Sequence, residues 1–497
     1  MRILYIDIDT TRADHLSCYG YHRKTTPNID AIAAQGVRFD NCYVPDAPCL
    51  PSRSALWSGQ FGFRNGAINH GGTAADMFIE GKDRGFRSVY GNTNWMTCLR
   101  QAGLRTITVS PFAERHSAWQ WYGGYVEMYN TMYGGMEGAD DVTPTALDWI
   151  KRNAKNDNWF LHVNYWDPHT PYRTPLDFGN PFESDSLPAW LTEEYRQKCW
   201  GGIGSHSAQE LHDYPGDPKM LEAMLKRYPR LPRSLDSMDA VRKWIDGYDT
   251  GIRYADEHAG RLLNALADQN VLDDLVIMIS SDHGENQGEL NIWGDHQTAD
   301  EPTCHIPLIV RWPGMGSQGR ADPAFVYPFD WAATMIELVG GKVPSNWDGR
   351  SFASAFQNGV SKGRPYLVTS QAAWACQRGV RFHAGGEEYL CLRTYHDGHK
   401  YLDPIMLFNL TVDPHEQNDI SSQRPDLVNL AMKLLTDWQS DMMLTSRTNV
   451  DPMMTVLREG GPLHTRGKLP KYLDHLRNTG RQVMADRLAS LHPDELK

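Results

Sequence analysis

Three short apolar runs in this 497-residue chain each break off into acids and histidines, and that pattern narrows the fold more than any other feature. The run 2–8 ends in Asp7-Ile8-Asp9-Thr10. The run 160–165 leads into Asp167-Pro168-His169-Thr170-Pro171, and the run 275–280 into Ser281-Asp282-His283-Gly284-Glu285. All three are rich in Val, Ile, Leu or aromatics, as strands buried on both faces are. Similar runs lie at 104–109 and 307–311. Helix-like stretches separate them, at 144–153 (opened by Thr143) and at about 238–269. Strands alternating with helices predict an α/β fold, a large and mostly parallel sheet flanked by helices. In open sheets of that kind, ligands bind outside the carboxyl ends of the strands. Carboxylates and imidazoles delivered there by three strands predict a functional site at that edge.

The character changes after residue 354. Short runs at 366–369, 379–383, 389–393 and 405–410 are separated by Gly, His and Asp, which suits a small antiparallel sheet, and a helix is expected over 425–442. The chain therefore reads as a catalytic α/β domain at 1–354 and a smaller C-terminal α+β domain with a helical tail at 355–497. A stretch at about 180–235, irregular and rich in Pro, Trp and His, is too long for a simple connection and is expected near the active site. The final fifty residues carry helix signals but no recognisable chemistry.

Composition removes several function classes. There are 49 Lys+Arg against 61 Asp+Glu, a net charge of -12, which argues against a nucleic-acid partner. No apolar run approaches the roughly 18 residues that cross a bilayer. The eight cysteines include no Cys-x-x-Cys pair and read as buried small hydrophobes, not as a disulfide framework. Met1-Arg2 runs directly into the strand-like Ile3-Leu4-Tyr5-Ile6, with no signal peptide, so a cytoplasmic enzyme is expected.

Cys49-Leu50-Pro51-Ser52-Arg53 lies between a loop and a short helical run that Gly59 closes. Cys49 would stand at a helix N-terminus. The residues alone leave two readings open, a buried cysteine or a thiolate nucleophile favoured by the helix dipole and Arg53. Cys-x-Pro-Ser-Arg, with Ala55, Leu56, Ser58 and Gly59 following, resembles the signature of the type I sulfatases of the alkaline phosphatase superfamily. The resemblance extends through Asp9, Arg12-Ala13-Asp14-His15-Leu16, Thr26-Pro27-Asn28-Ile29-Asp30 and His169-Thr170-Pro171. It continues through Asp282-His283-Gly284-Glu285, residues 307–314, Leu407-Phe408-Asn409-Leu410 and Asp413-Pro414, and covers roughly residues 1–440.

That resemblance implies that Cys49 is oxidised to formylglycine by a maturation enzyme, and that Arg53 holds the resulting nucleophile. It implies one divalent ion, Ca²⁺ before Mn²⁺ or Mg²⁺, on Asp9, Asp282, His283 and the modified Cys49. Many sulfatases carry a second acid where this chain has Thr10, and Asp7, on the same strand face as Asp9, is expected to replace it as a ligand. His169 is expected on a sulfate oxygen and His296 on the leaving alcohol, with His116 as the alternative donor. The family's Lys and His after the second strand are missing near Ser110-Pro111-Phe112-Ala113, so Arg115 and His116 are expected to supply the positive charge. Gln297 stands where a Lys is common. Trp166, with Trp119, Trp121, Tyr122, Trp190 and Trp200, is expected to stack on substrate. The implied reaction is hydrolysis of a sulfate monoester, of a carbohydrate or another small molecule, by a chain compatible with a homo-oligomer. The alternatives are a phosphonate monoester or phosphodiester hydrolase of the same superfamily, and a non-catalytic binding protein in which Cys49 stays a thiol.

Overall fold

The computed structural model describes residues 1–78, 88–204, 206, 210, 218–315, 319–359 and 362–497. In chain order its strands are β1 (Arg2–Ile8), β2 (Val37–Tyr43), β3 (Asp46–Ala47), β4 (Arg105–Val109), β5 (Glu127–Tyr129), β6 (Trp159–Tyr165), β7 (Leu275–Ser280), β8 (Asn286–Gln287), β9 (Trp293–Asp295), β10 (His305–Arg311), β11 (Arg320–Val326), β12 (Tyr366–Gln371), β13 (Cys376–Ala384), β14 (Glu387–His396) and β15 (Ile405–Asn409). The helices that frame the site and the tail are α1 (Cys49–Ser58), α2 (Ala139–Asn153), α3 (Met238–Asp268), α4 (Pro425–Thr445), α5 (Leu469–Asn478) and α6 (Gln482–Leu491).

Eight strands form the main sheet in the order β11-β2-β10-β7-β1-β6-β4-β5. Only β10 runs against the others, so the sheet is mostly parallel, as expected. β1 lies inside it because both of its faces are apolar. Leu4, Ile6 and Ile8 pack with α2 and α3, while Ile3 and Tyr5 face the opposite core, the alternation that a strand's two-residue period requires. The register aligns Asp7 with Asn164 of β6 and Ser280 of β7. Three strand ends therefore stop level with one another.

Three strands were not legible as runs. β2 alternates apolar and polar residues, β5 has only three residues, and β11 carries Pro323 at the sheet's edge, where a missing N–H costs no ladder bond. Helix α2 begins at Ala139, not at Thr143. Asp140 and Asp141 favour its first turn, the Asp141 carboxylate accepts from Gly138 N–H, and Asp167 Oδ2 accepts from Ala139 N–H at 2.8 Å. These bonds outweigh the single helical hydrogen bond that Pro144 cannot make.

The smaller sheet runs β15-β14-β13-β12-β3. Its first four strands are antiparallel, and β3 adds in parallel to β12, with Ser370 opposite Asp46. The segment just before Cys49 thus forms the edge of the second sheet. One core continues across both, joining Leu56 and Trp57 of α1 to Leu367, Val380 and, from α4, Leu435 and Trp438. Gly59 ends α1 with φ 68°, and a Cβ there would lie 1.9 Å from the Trp347 ring, so no other residue fits. Of the expected 180–235 insertion, residues 205, 207–209 and 211–217 lie outside the described residues. In its described part Leu191, Tyr195, Cys199, Leu231 and Leu235 join the core around α2 and α3, and the stretch near Ile203 meets the tail, where Tyr472 O–H donates to the Ile203 carbonyl and Arg481 donates to that of Gly204.

Candidate active site

The level ends of β1, β6 and β7 carry Asp9, His169 and Asp282 to one edge of the sheet, and α1 enters the same edge with Cys49 as its first residue. Arg53, one turn further along α1, is buried against three carboxylates. Its Nη1 donates to Asp7 Oδ2, its Nη2 donates to Asp9 Oδ2 at 2.9 Å, and its Nε stands 3.2 Å from Asp282 Oδ2. Asp282 Oδ2 is buried and accepts no hydrogen bond among the described residues. One guanidinium against three buried carboxylates leaves a deficit of positive charge that a divalent cation would fill.

The electrostatics show the same deficit. Burial and the neighbouring Asp9 push the Asp282 carboxyl up to about 7 in spite of Arg53. Burial also pushes Asp9 upward, but Arg53, assisted by His169, His283 and the Thr10 hydroxyl, holds it below the usual carboxylate range. Thr10 adopts φ 59°, which turns its N–H to Asp282 Oδ1 at 3.2 Å. His283 gives its Nδ1 proton to the Gly284 carbonyl at 2.8 Å, leaving Nε2 facing Cys49 Sγ at 3.0 Å, the tautomer a metal ligand needs. Donor atoms of Asp9, Cys49, Asp282 and His283 all lie within 4.8 Å of one another.

Asp7 is outside this group. Its Oδ2 is taken by Arg53 and by His162 Nε2 at 3.1 Å, so it positions Arg53, while its Oδ1 is buried and accepts no hydrogen bond among the described residues. The thiolate reading of Cys49 gains no support from its surroundings. Burial, then Asp9 and Asp282, push the thiol well above its ordinary value, outweighing Arg115, Arg53 and the helix N-terminus.

Cys49 opens into a cavity of about 410 Å³. Arg115, His116, His169 and His296 line it, as their expected roles require. Burial, with Arg115 beside it, lowers His116 to about 3, and burial also takes His169 and His296 well below the usual imidazole value. Trp166 is different: it is fully buried, the Arg115 guanidinium lies 4.9 Å over its ring, and it does not line the cavity. Among the described residues, neither the 180–235 insertion nor the other expected aromatics line the cavity. Gln297 is buried and donates to Asp295 Oδ2 at 2.7 Å.

Three lining side chains with ring systems went unread in the sequence. His70 follows α1, Trp374 follows β12, and His464 comes from the final fifty residues. His70 Nδ1 and His464 Nε2 stand 2.9 Å apart, and the His464 ring stacks on Trp374 at 4.4 Å. The glycine pair after His70 was its only local signal; the other two had none.

A model of the Sulfatase family matches residues 2–341, and a model described as N-sulphoglucosamine sulphohydrolase, C-terminal, matches residues 288–440. The chain belongs to the sulfatase family: it is a type I sulfatase of the alkaline phosphatase superfamily, a hydrolase of sulfuric esters. It is 24% identical over 481 residues to N-acetylglucosamine-6-O-sulfatase of Bacteroides thetaiotaomicron, covering 84% of this chain and 82% of that one. It is 25% identical over 442 residues to choline-sulfatase of Rhizobium meliloti, covering 80% and 77%. Its fold matches a protein solved in complex with its substrate D-glucosamine-2-N,6-O-disulfate (TM-score 0.68, 19% identity, 91% of this chain and 99% of that one). It also matches phosphonate monoester hydrolase of Agrobacterium radiobacter (TM-score 0.63, 17% identity, 92% and 97%).

Proposed function

We propose that this sulfatase hydrolyses a sulfate monoester of a carbohydrate, using a formylglycine made from Cys49 and one divalent cation held by Asp9, Asp282, His283 and residue 49. The observation that carries the reading is Cys49, at the head of α1, grouped with Asp9, Asp282 and His283 around a charge deficit that Arg53 alone leaves. The cation, Ca²⁺ before Mn²⁺ or Mg²⁺, would polarise a sulfate oxygen and acidify the nucleophile. Names of relatives that act on amino-sugar sulfates support the carbohydrate.

Arg53 orients residue 49, and Asp7 in turn holds Arg53. Arg115 and His169 face the same cavity as Cys49 and bind the equatorial sulfate oxygens, where charge accumulates. His296, with its ring 4.3 Å from that of His283, donates the proton that the departing alcohol takes up as the S–O ester bond breaks. An arriving sulfate ester raises the affinity of these imidazoles for a proton by placing negative charge beside them. A formylglycine-generating maturation enzyme is the partner this reading requires. Cytoplasmic residence is proposed with it, supported by eight cysteines that are all free.

Asp9 followed by Thr10, with His283 as a ligand, also suits a phosphonate monoester or phosphodiester hydrolase. Two measurements decide: mass spectrometry of the peptide spanning residue 49, and turnover of a panel of sulfate monoesters and phosphate diesters by metal-replete protein. The proposal expects an aldehyde at 49 and sulfate ester turnover. Dominant diester turnover would replace it with the second reading, and an unmodified thiol without turnover would leave a binding protein.

A further inference from the structure

We propose that the C-terminal tail carries a second metal site, for zinc, built by His396, His399, His492 and Glu495. His396 ends β14 and His399 follows in the next turn, while His492 follows α6 and Glu495 lies within the helical turn Pro493–Leu496. Two segments almost a hundred residues apart thus meet as His-x-x-His and His-x-x-Glu. All four donor atoms lie within 4.8 Å of one another, and none of these residues lines the active-site cavity. Glu495 Oε1 stands 3.0 Å from His396 Nε2 and 2.9 Å from His492 Nδ1, and Oε2 stands 2.9 Å from His399 Nε2.

Three imidazole nitrogens and one carboxylate oxygen make the closed four-coordinate set of structural zinc. The surroundings fit it. The second nitrogen of His492 lies 2.7 Å from Asp397 Oδ1, the carboxylate–histidine arrangement that orients a metal ligand. Asp397 is itself fixed by the N–H groups of His399 and Tyr401 at 2.9 and 3.0 Å. With neutral imidazoles, Glu495 and Asp397 together balance a divalent ion. Gly398 takes φ 63° between the two histidines, and a Cβ on it would lie 2.2 Å from the Trp374 carbonyl oxygen. The site therefore abuts the backbone of a residue in the active-site wall, and zinc would staple α6 and the terminal turn to β14 behind that wall. His396 is the weakest of the four ligands. Its Nδ1 accepts from Gly398 N–H at 3.0 Å, a bond it must give up when Nε2 binds a metal.

The test counts zinc in protein equilibrated with Zn²⁺ and gel-filtered. Cys49→Ala/Asp282→Asn/His283→Gln, which breaks both groups of possible ligands in the active site, is expected to keep one equivalent, and adding His399→Gln/His492→Gln to remove it. His396→Gln is expected to weaken binding least of the three histidine changes. Because these substitutions also break ion pairs, Co²⁺ is added to the Cys49→Ala/Asp282→Asn/His283→Gln protein with its tail intact, where the intense visible absorption of four-coordinate Co²⁺ is expected. Absence of zinc from that protein, zinc that survives His399→Gln/His492→Gln, or a weak six-coordinate Co²⁺ spectrum would each overturn the proposal and leave the cluster as a set of ion pairs. Neither readout involves ester turnover, so this outcome is separate from that of the proposed function.

Discussion

The floor and the outer wall of the cavity are built from opposite kinds of sequence. The floor is Asp9, Cys49, Asp282 and His283, each at the end of a buried strand or the start of a helix, and each inside a recognisable local pattern. The wall is His70, Trp374 and His464, from three separated loops, with His464 on a tail that reads as featureless. The floor's geometry follows from strand register, which backbone hydrogen bonds hold. The wall's follows from side-chain packing of late segments against the larger domain. The floor should therefore carry the chemistry and the wall the recognition.

The largest effect should come from the floor. Cys49→Ala removes the nucleophile, and kcat should fall by about 10⁴-fold or more, measured on the best sulfate ester of a panel. A fall of less than about tenfold would mean that residue 49 does not carry the chemistry. Asp282→Asn should come next. It neutralises a carboxylate whose Oδ2 accepts no hydrogen bond among the described residues, and Ca²⁺ or Mn²⁺ affinity by calorimetric titration should drop by about 100-fold or more, beyond the loss typical of an outer partner.

The wall should respond differently. His464→Ala is expected to raise KM by about tenfold, about 1.4 kcal/mol, with kcat little changed. Equal losses in kcat and kcat/KM would instead place His464 in the transition state, and the division between floor and wall would fail.

The joint between the two regions offers the smallest test. Asp46, on β3, accepts from Gly62 N–H at 2.6 Å, and burial raises its carboxyl from 3.8 to about 7. Folding favours its neutral form, so its contribution is complete below pH 3.8 and is lost as pH rises through about 7. Asp46→Asn should escape this loss. Its Tm relative to wild type should increase as pH is raised from about 4 to about 8, and a constant difference across that range would show that Asp46 does not titrate on folding.

What could be read in advance tracks the range of the forces involved. Strands 2–8, 160–165 and 275–280 were visible because burial on both faces writes itself as a local apolar run, and α3 because its apolar period persists over 31 residues. β2 and β11 were not, because half-buried and edge strands keep polar residues. For Asp7, period two says which face it shares with Asp9, not that Arg53 takes up one of its oxygens. Trp166 was misread for a related reason: nearness in sequence to His169 does not say which of the two rings lies behind Arg115.

The sequence by itself determined a sulfatase: the nucleophile's motif, the acids and histidines at strand ends, and the alternation that makes a mostly parallel sheet. Those are local matters, settled by burial and backbone pairing over a few residues. Only the tertiary structure decided that Asp7 serves Arg53, that Cys49 stands among carboxylates, and that His464 and Trp374 close the cavity. Each of these depends on charges and surfaces brought together from positions far apart in the chain, and the sum of such contacts is set by packing, not by any one segment.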